Sequence, residues 1–180
     1  ALDALPQFLA RPESGTHHLR GTVHLCPDQD YIERGHDDAK YGRPSSDPIV
    51  ECTIPSVVDP SVAPKGKHLM SMFVQYAPYK LKDAHWDTIK DRFADRCFDI
   101  LNEYAPNFKR SVLHRQVIAP PDMERHWGIT GGNISTAQAY ITDITPPRAG
   151  ETVAVAGVAG VTWARRSVPT TSSLMVDQPS

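Results

Sequence analysis

Apolar and polar positions along the chain divide it into segments of two periods. Arg20 to Leu25 (RGTVHL), Ile49 to Ile54 (IVECTI) and Leu69 to Tyr76 (LMSMFVQY) are rich in β-formers and read as strands; the first also alternates. Trp86, Ile89, Phe93, Cys97, Ile100, Leu101 and Tyr104 recur at steps of three and four, which predicts a helix from about His85 to Tyr104 with one apolar face. The charged residues between them make the other face a solvated surface. Pro27 to Lys40 reads as a helix opened by proline and ended at Tyr41-Gly42-Arg43-Pro44, and Pro120 to Trp127 as a short helix with Gly128 just past its end. Ser111 to Ile118 (SVLHRQVI) reads as a further strand. Pro55 to Lys67, rich in proline and glycine, connects the second and third strands, and an antiparallel pair is the economical reading.

This order of elements predicts an α+β fold: a mixed, largely antiparallel sheet with packed helices. Residues 1–134 form the expected domain. From Ser135 onward the texture changes to repeated Ala, Gly and Val with few aromatics, so residues 135–180 are expected to be a divergent, irregular tail.

Composition narrows the function classes. Nineteen Lys plus Arg against twenty-one Asp plus Glu leave a formal charge of -2, which offers nucleic acid or anionic lipid no attracting field. The uncharged run Thr152 to Ala164 is short of the roughly 20 residues that cross a bilayer, so no transmembrane segment is expected. Cys26, Cys52 and Cys97 show no paired spacing, and the N-terminus has no secretory pattern, which suggests a cytoplasmic setting.

A dinucleotide site of the Rossmann kind needs G-x-G-x-x-G, and no two of the eleven glycines here are two residues apart. The eight histidines show no zinc spacing, so no metal is expected. Asp37-Asp38 and Asp122 with Glu124 are explained by helix solvation and dipole matching before acid-base catalysis.

Four blocks carry a resemblance: DYIERGHDDAKYGRPS (Asp30 to Ser46), IPSVVDPSVAPKGKHLMSMFVQYAPY (Ile54 to Tyr79), YAPNF (Tyr104 to Phe108) and PPDMERHWGITGGNI (Pro120 to Ile134). Together they resemble the substrate-side portion of phytoene desaturase-like FAD-dependent oxidoreductases, distant kin of the amine oxidases. The resemblance implies FAD as cofactor, hydride removal from a hydrophobic small molecule, and a Rossmann domain that this chain does not contain. It implies a fragment inactive by itself; the alternative is a stand-alone module that binds an apolar ligand or a partner without catalysis.

Gln75 and Tyr76 at a strand end, and Gly132 and Asn133 in a Gly-Gly-Asn turn, are the candidate cofactor- or substrate-facing residues, and no catalytic residue is assigned. At Ser135-Thr136-Ala137 the chain leaves the pattern of its relatives, which continue Phe-His-Gly. Deleting one base from a GC-rich coding sequence converts one reading into the other, so the tail reads as a frame-shifted translation.

Overall fold

The computed structural model describes residues 1–12 and 15–132. The expected tail and Asn133 lie outside the described residues.

Three strands, β1 (Val23–Leu25), β2 (Ile49–Thr53) and β3 (Ser71–Gln75), form a sheet in the order β1-β2-β3, with both pairings antiparallel. Among the described residues five α-helices accompany it: α1 (Gln29–Lys40), α2 (Pro55–Val58), α3 (Trp86–Tyr104), α4 (Phe108–Ser111) and α5 (Pro120–Trp127). The fold class is α+β.

Strand alternation sets the two faces of the sheet. The register pairs Val23 with Cys52, Leu25 with Val50, Cys52 with Met72 and Val50 with Val74, so these side chains share the inner face. Against them lie Phe93, Cys97, Ile100 and Leu101 of α3, with Phe108 of α4. Phe98 and Phe108 meet edge to face at 5.1 Å between ring centroids, a preferred aromatic geometry. His24, Glu51 and Phe73 share the opposite face, where Phe73 is 43% exposed.

The N-terminal segment closes the core. Leu2, Leu5 and Phe8 pack into it, and Leu2 exchanges backbone hydrogen bonds with His68 at 2.8 and 2.9 Å. Buried Asn107 holds this segment from the other side: its carboxamide oxygen accepts from the Gln7 N–H at 2.7 Å, and its Nδ2 donates to the Leu5 carbonyl at 2.9 Å.

Two sequence expectations need correction. Ser111 to Ile118 is not a strand: Ser111 ends α4, Val112 makes a single bridge to Leu2, and residues 113–119 carry no regular structure. The Leu113 N–H instead donates to the Ala1 carbonyl at 2.9 Å, so the chain's own start takes the position that a sheet neighbour would need. The Pro- and Gly-rich connection after β2 holds two short helical turns, α2 started by Pro55 and a 3-10 turn started by Pro60. α1 begins at Gln29 rather than Pro27, since the Asp28 carboxylate accepts from the Tyr31 N–H at 2.8 Å and caps the helix there.

Candidate functional site

Gln75 is the last residue of β3 and pairs with Ile49; the Gln75–Tyr76 peptide is cis. Tyr76 is fastened immediately beyond the strand. Its N–H donates to Ser45 Oγ at 3.2 Å, and its carbonyl accepts from the Ser45 N–H at 3.0 Å. Ser45 Oγ in turn donates to the carbonyl of Gly35 on α1 at 2.8 Å. The Tyr76 ring stands edge-on to His36, 5.6 Å between centroids. The end of β3 is thus tied to the middle of α1 through one buried hydroxyl.

Ser45 is held by the turn that follows α1. The Asp38 carboxylate accepts from the Ser46 N–H at 2.9 Å, the Ser46 hydroxyl at 2.8 Å and the Arg43 guanidinium at 3.1 Å. These bonds, the Ser46 backbone first, hold its carboxyl below the ordinary value despite partial burial. Asp38 is therefore more than a solvating acid. Arg96 on α3 fixes the same turn from outside, pairing with Asp47 and donating to the Ser46 carbonyl at 3.1 Å.

Gly132 ends a 3-10 turn (Thr130–Gly132) and has a left-handed φ of 61°. A Cβ at this position would overlap the carbonyl of Pro120 and come within 2.7 Å of the Pro120 Cα, so the first residue of α5 already requires the glycine. The two described parts of the expected site are joined by a bridge: Tyr79, just beyond Tyr76, bonds through its hydroxyl to Glu124 on α5, and the other Glu124 oxygen accepts from the Gly131 N–H at 3.3 Å. That hydrogen bond to Glu124 raises the Tyr79 phenol above its ordinary value and keeps it a donor.

Beside this bridge is a cleft of about 380 Å³, walled by Tyr79, Lys80, Leu81, His85, Trp86 and Arg125. A second cleft of about 320 Å³ lies between Leu5, Val57 and the Pro64–His68 turn. Gln75, Tyr76 and Gly132 line neither cleft. No local pattern announced the contacts of Ser45 and Tyr79, because their partners are 10 to 45 residues away, and Glu124, noted in the sequence only beside Asp122, is joined to Tyr79 instead.

Burial pushes the Cys52 and Cys97 thiols up to about 12, which leaves both protonated and poor nucleophiles. Among the described residues no group of three His, Cys, Asp or Glu could hold a metal ion, and no helix is long and apolar enough to cross a membrane.

Nor do the three longer helices offer a cradle for a dinucleotide's phosphates. Each begins with acid: Asp28 and Asp30 at α1, Asp87 at α3, Asp122 at α5. At α5, Pro120 and Pro121 have no N–H to give, and the Asp122 carboxylate accepts from the Ala119 N–H at 2.9 Å. Burial opposes that charge, but the Ala119 amide, Arg125 and Lys90 outweigh it, and Asp122 titrates below its ordinary value. A pyrophosphate at any of these ends would meet a fixed negative charge rather than free donors. The described residues do not fit the phosphate end of FAD.

Comparison with known proteins gives relatives by sequence. The chain is 44% identical over 141 residues to the pyridine nucleotide-disulfide oxidoreductase domain-containing protein 2 of Rattus norvegicus, and 43% identical over 141 residues to that of Mus musculus. The alignments cover 74% of this chain and 24% of each relative, so the chain spans about a quarter of the length of the curated relatives it matches. The likeness is to proteins named for an oxidoreductase domain in general rather than to phytoene desaturases in particular. No family model and no solved structure matches the chain.

Proposed function

We propose that this chain is the substrate-side portion of an FAD-dependent oxidoreductase of the phytoene desaturase-like kind, acting on a hydrophobic substrate and inactive without the flavin-holding remainder. The observation that carries the reading is 44% identity, over most of this chain, to a protein named for an oxidoreductase domain. The finer class rests on the four sequence blocks. The incompleteness rests on two independent points: the sequence has no G-x-G-x-x-G, and the helix starts present acid where a pyrophosphate would need donors.

In this reading the sheet and α3 form a scaffold, and the Tyr76 and Gly131–Gly132 turns, joined by Tyr79 and Glu124, form the edge that meets substrate. Equilibrium dialysis of the purified chain against FAD tests the division of labour. The reading expects no retained flavin, and stoichiometric yellow protein would refute it.

A further inference from the structure

The cleft beside Tyr79 has walls whose own hydrogen bonds are already made. The Trp86 Nε1–H donates to the Pro78 carbonyl at 2.8 Å, and the Tyr79 hydroxyl is held by Glu124. The Arg125 guanidinium donates to Asp87 at 3.2 Å and also to Asp122. These partners fix two aromatic rings and neutralise the arginine. Lys80 differs: among the described residues its ammonium has neither an ion-pair nor a hydrogen-bond partner, and it lines the same cleft. Leu81 and Ala84 complete the apolar part of the wall. At about 380 Å³ the space falls in the range of small-molecule clefts, roughly 300 to 1,000 Å³.

We propose that this cleft binds an apolar molecule ending in a carboxylate, its body against Trp86, Tyr79 and Leu81 and its carboxylate on Lys80. The inference rests on the hydrophobic-substrate part of the proposed function and narrows the substrate class. An apolar ligand without charge would partly desolvate the Lys80 ammonium with nothing to offset that cost, whereas a carboxylate supplies a charge-assisted hydrogen bond.

Retinoate and retinol, alike in their apolar body, are the probes. Trp127→Phe and Trp163→Phe in one chain leave Trp86 as the sole tryptophan, and its fluorescence quenching reads occupancy. Retinoate binds roughly tenfold tighter than retinol, a difference of about 1.4 kcal/mol. Lys80 is exposed, and Lys80→Gln removes that preference by weakening retinoate roughly tenfold while retinol binds at least as tightly as in the parent; Ala84→Leu, which fills the cleft, weakens both ligands. Equal affinities in the parent, or a preference that survives Lys80→Gln, overturn the carboxylate assignment and leave the hydrophobic reading standing. Saturable binding of neither probe overturns both.

Discussion

The Ser45 hydroxyl donates to the Gly35 carbonyl at 2.8 Å, and its oxygen would lie 2.6 Å from a Cβ placed on Gly35. A glycine inside α1 costs about 1 kcal/mol relative to alanine, so the close approach, rather than backbone conformation, accounts for its presence. Gly35→Ala in the parent is expected to lower stability by about 1 to 3 kcal/mol through overpacking. Ser45→Ala costs about 1 to 2 kcal/mol, because the Tyr76 amide loses its acceptor. With the hydroxyl gone, the nearest atoms to the new Cβ are Tyr76 Cδ2 at 3.6 Å and the residue-45 Cβ at 3.7 Å, ordinary contacts. Gly35→Ala made in the Ser45→Ala chain is therefore neutral or stabilising, and urea melts of the four chains read the change of sign.

Asp38 gives the fold an acid-sensitive fastening. Its folded pKa is depressed, chiefly by the Ser46 amide, so its contribution is fully present above the ordinary carboxylate value near pH 4 and is lost as pH falls through the folded value. Asp38→Asn is expected to lower stability by about 1 to 2 kcal/mol at pH 7. Melts of parent and variant converge at a pH below about 4; a gap unchanged down to that pH contradicts the assignment.

Gly131 and Gly132 have similar left-handed φ values, 66° and 61°, but different surroundings. A Cβ on Gly131 meets nothing within 4 Å, whereas one on Gly132 meets the Pro120 backbone. Gly131→Ala is expected to cost about 1 kcal/mol from conformation alone. Gly132→Ala adds overpacking of about 1 to 3 kcal/mol, and differential scanning calorimetry of the two variants measures the difference.

The scaffold was legible where one physical signal decided it. The helical recurrence of Phe93, Cys97, Ile100 and Leu101 named the face of α3 that enters the core, and the runs around Val23, Val50 and Val74 marked all three strands. Ser111 to Ile118 carried a similar β-like signal and still formed no strand. Propensity does not supply a partner, and Leu2 and Ala1 took the hydrogen bonds at its start. Of the expected site, Tyr76 is held by a contact that no short window of sequence contains, since Ser45 is 31 residues away, whereas the Gly132 N–H bonds the Ile129 carbonyl only three residues back. A glycine within a helix, as at Gly35, has no motif to announce that another residue's hydroxyl will rest on it.

Segment exchange tests the central claim most directly. The 141-residue stretch of the rat relative that aligns with this chain is replaced by the corresponding residues of this chain, and flavin absorbance is read on the purified chimera and on the isolated chain. A substrate-side portion of a flavoenzyme predicts a folded chimera carrying as much FAD as the intact rat relative purified in parallel, and an isolated chain carrying none. A folded but colourless chimera, or an isolated chain that holds FAD, would contradict it.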